Sequence, residues 1–129
     1  MSDRVFLMGH VDRVVDHIAK SEIFALSSDW EGMPNALMES MAMGLACVAT
    51  DVMTGGCRDL IQNGENGLLV PIGDKEAFKL ALKKVIENNV LKKHFMVKGL
   101  EIKESHSKNA IIPQWIQFIE NKCDNKKRN

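Results

Sequence analysis

The chain has 129 residues, 45% of them hydrophobic, 26% charged and only 5% aromatic, with seventeen Lys and Arg against seventeen Asp and Glu. That length holds one core rather than two, the apolar content excludes a disordered polymer, and the balanced charge excludes nucleic acid as an expected partner. No run approaches the roughly 18 consecutive apolar residues of a membrane span, and the start Met1-Ser2-Asp3-Arg4 carries no apolar secretion signal, so a cytoplasmic protein is expected.

Short apolar runs alternate with helical patterns, the signature of βαβ units around a parallel sheet. Val5-Phe6-Leu7-Met8, stopped by Gly9, reads as a first strand. From Val11 to Ala19 the apolar residues Val11, Val14, Val15, Ile18 and Ala19 recur at spacings of three and four, which predicts a helix. Ile23 to Leu26 reads as a second strand. Pro34 suits the first turn of a helix that runs through Met43 and stops at Gly44. Cys47-Val48-Ala49 reads as a third strand, Arg58 to Ile61 as about one helical turn, and Gly67 to Val70 as a fourth strand closed by Pro71.

Asp74 is a fitting N-cap for a helix whose apolar stripe is Ala77, Phe78, Ala81, Leu82, Val85 and Ile86. A further helix is predicted over Leu91 to Lys103. A last one covers Asn109 to Asn121, with Pro113 in its first turn or at a kink and with Trp115, Phe118 and Ile119 as an exposed stripe. Residues 1–122 read as one incomplete domain and 123–129 as a polar tail. The expected fold class is α/β, a partial Rossmann-like parallel sheet of about four strands with helices on both faces. Doubly wound domains usually carry five or six strands, so the chain reads as part of a domain.

Cys47, Cys57 and Cys123 form no C-x-x-C pair, and His10, His17, His94 and His106 are scattered, so reduced thiols and no metal site are expected.

The stretch SSDWEGMPNALMESMAMG places Glu31 before a Gly32-Met33-Pro34 corner and Glu39 about one turn into the helix that follows. In a parallel α/β sheet, ligands sit beyond the carboxyl ends of the strands, and this stretch is such a hand-over. The amides at Asn35, Ala36 and Leu37 open the helix and suit a phosphate or diphosphate. A carboxylate on either side suits sugar or ribose hydroxyls. Complementation of the helix dipole by Glu39 and a solvent-facing Glu31 explain the same spacing equally well. Spacing alone leaves both readings open.

The run from Ser28 to Gly44, together with VATD at 48–51, TGG at 54–56 and NGENGLLVP at 63–71, closely resembles the C-terminal nucleotide-sugar domain of family-four retaining glycosyltransferases, the glycosyl transferases group 1. The core motif is E-G-x-P-N-x-x-x-E. The resemblance implies two Rossmann-like domains in the complete enzyme, the GT-B arrangement, with this chain supplying part of the second and truncated at its N-terminal side. It implies that Glu31 contacts the donor sugar near the reacting carbon, as the catalytic position. Gly32, Met33 and Pro34 would pass the sugar hydroxyls and diphosphate, Asn35, Ala36 and Leu37 would face the diphosphate, and Glu39 would hold the ribose. Ala46, before the third strand, and Cys57, after the double glycine, depart from prolines common at those positions, and each loosens a turn without removing a ligand contact.

The function implied is retaining transfer from a nucleotide diphosphate sugar, UDP-sugar foremost, to a glycan or lipid-linked acceptor, in the cytoplasm or at the inner membrane face, with no cofactor and no metal. The family's diphosphate-neutralising Arg and Lys precede the matched region and its acceptor is held by an N-terminal domain, so this chain alone is expected to be inactive. The alternatives are a non-catalytic nucleotide-sugar-binding module that needs a complementing chain or self-association, and a relative of the GT-B sugar-nucleotide epimerases.

Overall fold

The computed structural model describes residues 4–126. In chain order its elements are α1 (Val14–Ile18), β1 (Ile23–Leu26), α2 (Asn35–Ala42), β2 (Ala46–Thr50), α3 (Gly56–Leu60), β3 (Gly67–Val70), α4 (Lys75–Glu87), α5 (Asn89–Gly99), α6 (Ile102–Ser105) and α7 (Lys108–Lys126). The strands form one parallel sheet in the order β1-β2-β3, with Ile23 beside Ala46 and Cys47 beside Gly67. Parallel neighbours need a crossover, and α2 and α3 supply the two.

β2 is the centre. All five of its residues are buried, as an apolar run covered on both faces should be. Because side chains alternate across a strand, Cys47 and Ala49 join Leu37, Met41, Leu60, Ile61 and Ile102 on one face. Ala46 and Val48 join Val70, Ala81, Val85 and Phe95 on the other. Helices therefore cover both faces, as the sequence predicts. Gly67 is required where it stands, since a Cβ there would lie 2.8 Å from the Cys47 carbonyl oxygen across the strand pair.

Local sequence sets the helix starts. Asp74 accepts from the Ala77 amide at 2.8 Å and Asn88 from the Leu91 amide at 2.9 Å, each capping a first turn. The single helix predicted from Leu91 to Lys103 is two. The backbone tightens after Gly99 to bonds of the i→i−3 kind, from Leu100 to Val97 and from Glu101 to Lys98. The break has a packing cause: Phe95 belongs to the core on one face of the sheet and Ile102 to the core on the other, so the chain must turn between them.

Among the described residues the predicted first strand does not form, and the sheet has three strands rather than four. A strand exists only by pairing, and Val5 to Met8 pair with none of the three. Leu7 is 96% exposed. The helix expected from Val11 to Ala19 shrinks to α1, none of whose residues is buried. Pro113 lies inside α7 rather than in its first turn, and the stripe of Trp115, Phe118 and Ile119 is exposed. α7 continues to Lys126, through the first residues of the segment read as a tail, and 127–129 lie outside the described residues.

Two measurements check this core. Phe95 is fully buried, so Phe95→Ala is expected to lower stability by about 3–5 kcal/mol, read as a fall in the urea midpoint at constant m. Burial also pushes the Cys47 thiol up to about 12. The folded protein keeps this proton at a pH where an unfolded thiol, with its pKa near ~8.5, has lost it, so stability falls as pH rises through that window. Urea unfolding at rising pH is expected to show wild type losing up to about 1.4 kcal/mol per pH unit more than Cys47→Ala there.

Candidate active site

The loops after β1 and β2 meet at the carboxyl ends of the strands. Gly55 adopts the left-handed backbone, with φ of 86°, and turns the second loop into α3. At Gly56 a Cβ would lie 1.9 Å from the Gly32 carbonyl oxygen and 3.1 Å from Pro34 Cδ. No side chain fits there, so the two backbones rest directly on each other. The Thr50 hydroxyl donates to the Ser28 carbonyl, the Thr54 hydroxyl donates to the Glu31 carbonyl, and Ser28 Oγ donates to Glu31 Oε1 at 2.7 Å. Glu31 is half-buried.

α2 leaves from this corner. Buried Pro34 occupies its N-cap position with no side-chain cap, and its carbonyl accepts from the amides of Leu37 at 3.0 Å and Met38 at 3.1 Å. The amides of Asn35 and Ala36 have no partner among the described residues. The open cradle is thus two amides wide rather than the three that the sequence suggests. Leu37 is fully buried in the core, so its side chain turns away from any ligand as well. At about 100° per residue, Asn35, Ala36 and Glu39 share one arc of the helix. All three are exposed, while Leu37, Ser40 and Met41 are buried on the opposite side. Met33 is half exposed beside the corner.

The structure therefore brings Glu31, Gly32 and Pro34 together with Thr54 and Gly56, and sets Asn35, Ala36 and Glu39 as an open face beside them. Cys57, the residue after Gly56, reports this proximity: burial raises its thiol pKa, and the negative charge of Glu31 raises it further. Arg58 pairs with Asp51 at 2.5 Å on the same side of β2. Sequence reasoning missed Ser28, Thr50 and Thr54. Only the three-residue spacing from Ser28 to Glu31 is a local signal, since Thr50 and Thr54 reach across more than twenty residues.

A cavity of about 730 Å³ opens between the strand ends and α4, lined by Ser27, Asp29, Thr50, Phe78 and Leu82 among others. None of the residues from Glu31 to Glu39 lines it, but Ser27, Asp29 and Thr50 set it directly beside the corner. Among the described residues no three His, Cys, Asp or Glu side chains cluster as a metal site, and no helix is long and apolar enough to cross a membrane.

Residues 1–88 match the family described as Glycosyl transferases group 1. The lipopolysaccharide core biosynthesis glycosyltransferase LpsE of Rhizobium meliloti (strain 1021) is 32% identical over 123 residues, which are 95% of this chain and 36% of that protein. The N-acetylgalactosamine-N,N'-diacetylbacillosaminyl-diphospho-undecaprenol 4-alpha-N-acetylgalactosaminyltransferase of Campylobacter jejuni is 30% identical over 119 residues, 92% of this chain and 32% of that one. The chain thus spans about a third of the length of these two relatives. Among solved structures, Anabaena Alr3699/HepE in complex with UDP superposes with a TM-score of 0.80 over 94% of this chain and 33% of its own, at 21% identity, a likeness of fold.

Gly56→Ala tests the corner. The added methyl overlaps backbone that belongs to another loop, so a loss of about 3 kcal/mol in thermal or urea unfolding is expected. Amide signals of Gly32, Met33 and Asn35 should move, and those of α4 should not.

Proposed function

Starting from the fact that this chain belongs to the glycosyl transferases group 1 family, we propose that residues 31–39 form the donor half-site of a retaining, family-four GT-B enzyme. Such an enzyme moves a sugar from a nucleotide diphosphate, UDP foremost, to a glycan or a lipid-linked acceptor. One observation carries the reading: the open amides of Asn35 and Ala36 and the exposed carboxylate of Glu39 share an arc of α2 immediately beyond the corner that carries Glu31. The names of the relatives, one in lipopolysaccharide core biosynthesis and one acting on a diphospho-undecaprenol-linked saccharide, and the UDP in the Anabaena complex support the choice of donor and acceptor class.

In this reading the diphosphate rests on the two free amides, where the positive end of the helix favours an anion. Glu39, on the same arc, accepts from the ribose hydroxyls. Glu31 accepts from the sugar beside its anomeric carbon, and Gly32, Met33 and Pro34 border the sugar and diphosphate with backbone. When the anomeric C–O bond breaks, its electron pair leaves on the diphosphate oxygen, and the amides stabilise the charge that grows there. The negative Glu31 offsets the positive character left on the sugar. The reading needs no metal, leaves acceptor binding and transfer to residues beyond these, and places the protein in the cytoplasm or at the inner membrane face.

Ligand-detected NMR with UDP, GDP and their sugar derivatives provides the test. Binding of a uridine ligand that weakens about tenfold in Glu39→Gln is expected, the effect of losing one charged hydrogen-bond acceptor. Undiminished binding in both Glu31→Ala and Glu39→Ala would sink the assignment.

A further inference from the structure

We infer that Ser28 and Thr50 are positioning residues that set the Glu31 carboxylate for its ligand, an inference that rests on the donor half-site reading above. A glutamate in a loop has three side-chain torsions to fix, and a free carboxylate samples several staggered rotamers. Here one oxygen is already held. Ser28 Oγ donates to Glu31 Oε1 at 2.7 Å, the usual length for such a bond. The hydroxyl has a single proton and it is committed to Glu31, so Ser28 acts through the carboxylate rather than on a ligand.

A serine three residues before a glutamate makes such a bond locally in many loops. What distinguishes this one is that both of its ends are tied to β2 and the loop beyond it. The Ser28 carbonyl accepts from the hydroxyl of Thr50, the last residue of the central strand and only 5% exposed. The backbone of Glu31 itself accepts from Thr54, in the loop that follows. The glutamate is therefore referenced to the core twice, through its side chain by Ser28 and Thr50, and through its carbonyl by Thr54. Oε2 and the remaining lone pairs stay available to sugar hydroxyls. Holding the carboxylate before the ligand arrives removes the ordering cost from the binding step.

The test reads Glu31 directly. With glutamate labelled, three-bond couplings report its χ1 and χ2 populations in the ligand-free chain. Wild type and Ser28→Thr, which keeps the hydroxyl, are expected to hold one rotamer, and Ser28→Ala and Thr50→Val to average over several. Unchanged amide signals of α4 show that the variants are folded. Identical Glu31 couplings in wild type and folded Ser28→Ala would overturn the inference, whether or not ligand binds. Titration with UDP and UDP-glucose then gives the functional arm. The preference for UDP-glucose over UDP is expected to fall about fivefold in Ser28→Ala and to return in Ser28→Thr, with UDP held as before. If Glu31→Gln lowers that preference and Ser28→Ala does not, the positioning role is refuted and the donor reading stands. If Glu31→Gln keeps the full preference, the donor reading fails, and the couplings alone decide whether Ser28 sets the carboxylate.

Discussion

The candidate site exists because two loops touch through bare backbone. The Gly32 carbonyl occupies the space that any Cβ at Gly56 would fill, and Pro34 Cδ stands just beyond it. This contact fixes where the chain leaves β1, and so fixes the point from which α2 departs and the direction in which its first amides open. The hydroxyls of Thr50 and Thr54 reinforce the same junction from the second loop. Glu31 and Cys57 come close enough for the carboxylate charge to disfavour ionisation of the thiol. A larger residue at Gly56 would separate the loops and dissolve all of these relations together.

That junction in turn depends on β2, which is buried on both faces and pairs with a strand on each side. A parallel strand of this kind is a rigid reference, because its side chains are packed into two cores at once. The chain closes both cores in one continuous stretch, with α4 and α5 on one face and α6 on the other, and the turn after Gly99 lets it change sides. Packing at the faces leaves the carboxyl ends of the strands to the loops. Catalytic and binding groups in open α/β sheets gather there for this reason.

For a member of the group 1 glycosyl transferases the arrangement has a chemical logic. Backbone amides at a helix start give an anion fixed donors that need no side-chain ordering, whereas carboxylates give hydroxyls strong acceptors that must first be aimed. The structure treats the two accordingly. The Asn35 and Ala36 amides are presented by helix geometry alone, and Glu31 is held through a chain of hydroxyls. Glu39, on a regular helix, takes its direction from the helix itself.

The periodicities of the sequence were enough to place β1, β2 and β3, the helices that join them and the N-cap of α4, because each of these is decided within a few residues by apolar spacing, Gly, Pro or Asp. The E-G-x-P-N-x-x-x-E motif likewise located the corner and its two glutamates. Tertiary structure decided the rest. Val5 to Met8 have the composition of a strand but no strand to pair with, and pairing is not a local property. The break between α5 and α6 follows from cores on opposite faces, and the Leu37 amide, counted with the open helix start, is taken by the Pro34 carbonyl. The bonds from Thr50 to Ser28 and from Thr54 to Glu31, which hold that glutamate, join residues more than twenty positions apart. Residue type and short-range spacing therefore determined which groups this protein has and on which elements they ride, while the close approach of two distant loops determined which of those groups act together.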